Sequence, residues 1–139
     1  VLIGEYAHSL DAKGRVNFPA KLREGLGAHF FITKGLDGCL FVYPEEEWKV
    51  LEEKIRQLPM SKGRKLQRFF FAGAAELEPD KQGRVLIPPS LREYAGLDRD
   101  VMIVGTLVRA EIWDKQRWED SCNELTADMV AEAMDELEF

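Results

Sequence analysis

Residues 11–27 read DAKGRVNFPAKLREGLG, and residues 80–96 read DKQGRVLIPPSLREYAG. Aligned at an offset of 69, they share nine of seventeen positions: Asp, Gly, Arg, Val, Pro, Leu, Arg, Glu and Gly. Average residue usage gives about one match over such a length, so the chain carries an internal duplication. The likeness continues with one residue inserted in the second copy. Residues 31–35 align with 101–105, and Tyr43 and Trp48 align with Trp113 and Trp118.

Each copy predicts the same run of elements. Asp11 can bond its own backbone and Gly14 accepts a positive φ, so residues 11–15 form a turn. A short strand over 16–18 follows. Pro19 then opens a brief helix at a position where its missing N–H costs nothing. Leu22 and Leu26 share one face of that helix, and Gly27 ends it. Strands over 30–33 and 39–43 are joined by Asp37-Gly38, a tight hairpin signal. The second copy predicts a strand at 85–87, a helix at 88–95 ended by Gly96, and strands at 101–104 and 110–113. Between the copies, Trp48, Leu51, Ile55 and Leu58 fall at helical spacing up to Pro59, with further helix near 64–72.

This divides the chain into a first repeat (5–47), a helical connector (48–75), a second repeat (76–119) and an acidic C-terminal helix (120–139). In the last, Leu125, Met129, Ala133 and Leu137 keep helical apolar spacing. A unit of about 43 residues cannot bury its apolar faces alone. The two repeats are therefore expected to share one core: an α+β structure with helices carried on one side.

Charge is unevenly spread over the 139 residues, whose net charge is −6. The 21 residues after Trp118 hold eight acidic residues and neither Lys nor Arg, so residues 1–118 sum to +2. From Lys54 to Arg84 the balance is +5. The acidic tail thus masks a basic middle, and the overall charge does not exclude an anionic partner. No apolar run reaches the roughly 18 residues of a membrane span, and the N-terminus lacks a signal-peptide layout. Cys39 and Cys122 provide neither a disulfide framework nor a zinc site. A cytoplasmic protein without membrane contact is expected.

The paired turns Asp11-Ala-Lys-Gly-Arg15 and Asp80-Lys-Gln-Gly-Arg84, each followed by a hydrophobic-Pro step and Leu-Arg-Glu, resemble the MraZ family. So do Gly4-Glu5-Tyr6, Tyr43-Pro44-x-x-x-Trp48 and the segment LQRFFFAG at 66–73. The resemblance covers residues 2 to about 120. It implies two tandem AbrB-like swapped-hairpin repeats that pair into one pseudo-dimeric β-barrel core with flanking helices. It also implies a ring-shaped homo-oligomer associated with the nucleoid. Such proteins repress their own promoter and the division and cell-wall gene cluster by binding short G-rich direct repeats in double-stranded DNA. The matching DNA-binding positions are Asp11, Arg15, Asp80 and Arg84. Lys13 has Gln82 as its counterpart, which leaves the second turn with less charge there.

Elementary chemistry agrees with that assignment. Arg offers two donors to guanine O6 and N7, and a β-ribbon fits the major groove. Lys13, Lys21, Arg23 and Lys81 suit phosphate contacts, which position a protein without reading sequence. Asp11 and Asp80 suit the orientation of the arginines, since a carboxylate facing phosphate is repelled. The blander reading makes each Asp–Arg pair an exposed ion pair worth at most about 1 kcal/mol.

Trp48, Phe69 and Phe71 have no evident home in so small a core and are candidates for subunit contacts. His8 and His29 stand without metal-ligand spacing, a phosphate-binding Gly-x-x-x-x-Gly-Lys motif is absent, and no catalytic constellation can be assembled. Neither enzyme activity, a cofactor nor a small-molecule substrate is expected. The alternative is an antitoxin-like protein-interaction module of AbrB-type fold, its acidic tail binding a basic partner.

Overall fold

The two repeats meet through their own equivalent residues. In the computed structural model, which describes residues 1–138, strand β2 (Arg15–Asn17) pairs antiparallel with β6 (Arg84–Leu86), and Val16 lies opposite Val85. Strands β4 (Leu40–Pro44) and β8 (Ala110–Asp114) also pair antiparallel, and there Phe41 lies opposite its counterpart Glu111. A two-fold relation between the repeats therefore passes through both pairs.

The remaining strands are β1 (Leu2–Ser9), β3 (Phe30–Lys34), β5 (Ala75–Leu77) and β7 (Asp100–Leu107). They join β4 and β8 in a six-stranded antiparallel sheet of order β1-β7-β8-β4-β3-β5. β1, which precedes the first turn, pairs with β7 of the second repeat, while β5, which precedes the second turn, pairs with β3 of the first. The expected barrel is not closed: β1 and β5 end the sheet as separate edges, and β2–β6 is a ribbon of its own. Pro19 and Pro88 stand just beyond the three-residue ribbon strands and have no N–H with which to extend a ladder, so the ribbon cannot bridge the gap.

Local chemistry explains the turns. Asp37 and Gly38 both take positive φ, 63° and 80°, the conformation a two-residue hairpin demands. Helix α1 (Ala20–Leu26) begins after Pro19, and α4 (Pro89–Tyr94) after Pro88. α2 (Glu45–Arg56) starts three residues earlier than the Trp48 stripe indicates, with Glu45, Glu46 and Glu47 at its positive end. α3 (Met60–Leu66) follows Pro59 and runs into one π-helical turn, Gln67–Phe71. The acidic C-terminal stretch is two helices rather than one, α5 (Lys115–Glu124) and α6 (Ala127–Met134). Leu125 turns extended, and the Thr126 hydroxyl caps α6 by accepting from the Met129 N–H at 3.2 Å. No described helix is long and apolar enough to cross a membrane.

One face of the sheet and the ribbon enclose the main core. Val16, Phe18, Leu22 and Ile32 of the first repeat pack there with Val85, Ile87, Leu91 and Ile103 of the second. Burying a side chain of this size stabilises by about 1.5–3 kcal/mol, and neither repeat has a core of its own. The other sheet face carries Phe41, Tyr43, Val104 and Trp113 beneath α2 and α5. Trp48 belongs here, correcting the expectation that it lacked a home: it stacks on Phe31 at 5.0 Å and meets Phe71 at 4.7 Å. Phe69 remains half-buried, edge-on to Tyr94. At the axis the Arg109 guanidinium covers the Phe41 ring at 3.8 Å, and the buried Glu111 accepts from the Trp113 indole at 2.9 Å.

Candidate nucleic-acid interface

Each ribbon strand leaves a turn whose Asp organises its Arg. Asp11 Oδ1 accepts from the backbone N–H groups of Lys13 and Arg15 at 2.9 and 2.8 Å, and Oδ2 accepts from Arg15 Nε at 2.7 Å. Asp80 does the same with Gln82, Arg84 and Arg84 Nε, each at 2.9 Å. The Gly14 and Gly83 N–H groups close the turns onto Asp11 and Asp80, with φ of 87° and 79°. The Arg15 backbone N–H first, then its guanidinium, hold the Asp11 carboxyl down at about 2. Asp80 is lowered for the same reasons, led by the Arg84 N–H. Both carboxylates are thus ionised across the neutral range. Each ion pair engages Nε, and the two Nη groups of each arginine make no hydrogen bond among the described residues.

Alternation along the ribbon sorts its side chains. Val16 and Val85 are buried, so Arg15, Asn17, Arg84 and Leu86 all face away from the core. The register puts Arg15 opposite Leu86 and Asn17 opposite Arg84, which sets the two arginines diagonally, about 8 Å apart at the backbone. The fold thereby brings two turns 69 positions apart in the chain onto one short surface.

Lys13 and Lys81 are exposed on the turns and Lys21 on α1. Arg23 has a different setting. It is half-buried, donates through Nε to the Phe18 carbonyl at 3.0 Å, and its guanidinium lies against Gly83 of the other repeat. Arg92 mirrors it, donating to the Ile87 carbonyl and lying against Gly14 so closely that a Cβ there would collide with it. Each repeat thus braces the other's turn. The bracing role was not read from the sequence, although the repeated Leu-Arg-Glu was its signal.

One family model, described as "MraZ protein, putative antitoxin-like", matches the chain twice, over residues 1–68 and 70–138. The chain belongs to the MraZ family. The Transcriptional regulator MraZ of Acetivibrio thermocellus is 58% identical over 135 residues, 94% of each chain. That of Carboxydothermus hydrogenoformans is 56% identical over 138 residues, 96% of each, and that of Clostridium beijerinckii 51% over 140, 99% of each. These MraZ names are those of a regulator and not of an enzyme, and the double family match falls on the two repeats that build the ribbon.

Proposed function

We propose that this MraZ-family chain is a sequence-specific DNA-binding transcriptional regulator that works in the cytoplasm on the nucleoid. It represses its own promoter and the division and cell-wall gene cluster by reading short G-rich direct repeats. The observation that carries this is the outward pair of aspartate-held arginines on one ribbon. A guanidinium fixed through Nε has lost rotamer freedom before contact, and its two Nη donors suit guanine O6 and N7 in the major groove. Lys13, Lys21 and Lys81 supply phosphate contacts around it, Asp11 and Asp80 hold the readers, and Arg23 braces the second turn. The AbrB-like swapped-hairpin arrangement describes the exchange of β1 and β5 between repeats.

Assembly belongs to the same proposal. A single ribbon holds few reading side chains, whereas a ring of copies engages successive repeats at high effective concentration. Phe69 and Phe71, half-buried at the π-helical turn, and the exposed Leu125, Met129 and Leu137 offer apolar surface for such contacts.

The test is a gel-shift of the full chain on the DNA upstream of its own gene, against a scrambled duplex, over a range of salt. Preference for the upstream DNA with a steep salt dependence is expected. Equal binding to both duplexes, or a flat response to salt, counts against the proposal. Binding instead to a co-purified basic protein through the acidic tail would favour the antitoxin-like module.

A further inference from the structure

We infer that Asn17 and Leu86 are specificity-determining residues on the arginine face: Asn17 reads an adenine and Leu86 contacts a thymine methyl, and their difference gives the pseudo-symmetric ribbon a direction on DNA. The inference rests on the DNA-reading face proposed above and deepens it.

The register makes the four outward side chains the corners of one rectangle. Its sides are about 5 Å across the strands and about 6.7 Å along them. Base pairs stack about 3.4 Å apart, so this rectangle spans only two or three of them. A groove edge that meets Arg15 and Arg84 therefore also meets Asn17 and Leu86.

Folding does not explain either residue. Leu86 is 52% exposed, whereas the apolar residues beside it in sequence, Val85 and Ile87, are at 2% and 0%. Asn17 is exposed, its side chain makes no hydrogen bond among the described residues, and Asn is a poor strand former. Against base edges both make sense. The Asn amide carries the donor and acceptor that match adenine N7 and N6, and an aliphatic side chain in the major groove has the C5-methyl of thymine to pack against.

Asn17 and Leu86 are also the same position of the two repeats, 69 apart. Two arginines related by a two-fold would read either strand alike, so the protein could sit on its site in both orientations. Unlike residues at the other two corners remove that degeneracy. The site read by one chain is then guanine-containing but not palindromic.

The experiment is selection from a random-sequence duplex pool with the full-length wild type, Asn17→Ala, Leu86→Ala and Leu86→Asn. The wild type is expected to recover a directional site with guanines beside adenine and thymine. Asn17→Ala loses the adenine preference and Leu86→Ala the thymine preference, each with an affinity loss of about 5- to 100-fold on the wild-type site, while the guanines stay. Leu86→Asn makes the corners alike and shifts the recovered sites toward palindromes. Base analogues test the wild type without mutation: replacing the thymine by deoxyuridine, or the adenine by 7-deazaadenine, weakens binding severalfold, and each effect vanishes in the matching Ala variant. Unchanged flanking preferences in the variants, or insensitivity of the wild type to both analogues, overturn the inference while the guanine reading stands. Recovery of no guanine by the wild type overturns the arginine face itself.

Discussion

The turn from Asp11 to Arg15 and the turn from Asp80 to Arg84 are closed by the same five hydrogen bonds, yet they differ where those bonds make no demand. The carboxylate, the glycine and the arginine are fixed by geometry: one accepts three N–H groups, one supplies positive φ, one returns its Nε. The second and third positions are exposed, so Ala12-Lys13 and Lys81-Gln82 occupy equivalent places without altering the turn, each turn keeping one lysine at a different position. Conformation and charge are carried by separate residues in this motif, so the lysine can move while the turn stays.

The largest test of that equivalence lies beneath the turns. Leu22 and Leu91 are equivalent and buried to 1% and 0% exposure in the one shared core. Leu22→Ala and Leu91→Ala are each expected to cost about 2–5 kcal/mol in a single cooperative unfolding transition followed by urea denaturation. Two separate transitions would mean that the repeats fold independently after all.

Next come the readers. Arg15→Ala and Arg84→Ala are each expected to weaken operator binding by about 1–3 kcal/mol and to relax base preference at one position. The melting temperature falls by no more than about 5 °C, because each variant loses only an exposed ion pair worth at most about 1 kcal/mol. Equal losses on operator and scrambled DNA would reduce the arginine concerned to a phosphate contact.

Charge alone gives a smaller effect. Lys13→Gln should lower affinity severalfold on every sequence and flatten the salt slope by about 0.9, and Gln82→Lys should do the reverse. Binding measured at several salt concentrations checks this; a change confined to one DNA sequence would contradict it.

The smallest effect is local and acidic. Asp11 lies at about 2 against an ordinary 3.8, so the stabilisation from its hydrogen bonds is complete above about pH 5 and disappears as pH falls through about 2. Asp80 is displaced in the same direction. Carboxyl resonances of both residues followed by NMR are expected to titrate below 3.8. A midpoint at the ordinary value for either one would show that its turn is open in solution.

Much of this was legible in the chain. The turns, the Pro-initiated helices and the Asp37-Gly38 hairpin are local, and local residues fix them. What escaped is what depends on distant pairing. β1 exposes Ile3, Gly4 and Glu5 in succession and has no apolar run to announce it, while β5 is three residues long and exists through its partner β3. The open sheet, in place of a barrel, follows from the short ribbon strands and their prolines. Trp48 found its place only once the π-helical turn brought Phe71 against it. Of the candidate site, the arginines and aspartates were readable from the motif. The outward company of Asn17 and Leu86 was not, because it depends on the cross-repeat register.

Phe41 opposite Glu111 has an evolutionary consequence. In a dimer of identical single-repeat chains, a residue on the axis faces its own copy, so every substitution there arrives twice. A glutamate would meet a glutamate in a buried ladder position, where like charges repel. With both halves in one polypeptide that constraint does not apply, and the two positions hold an aromatic ring roofed by Arg109 and a carboxylate tied to Trp113. Paired with themselves, second halves would bring two Glu111 carboxylates together, each beside its own Arg109 at 3.5 Å, and first halves would leave two phenylalanines without their cation. At this position each repeat fits the other better than it would fit a copy of itself.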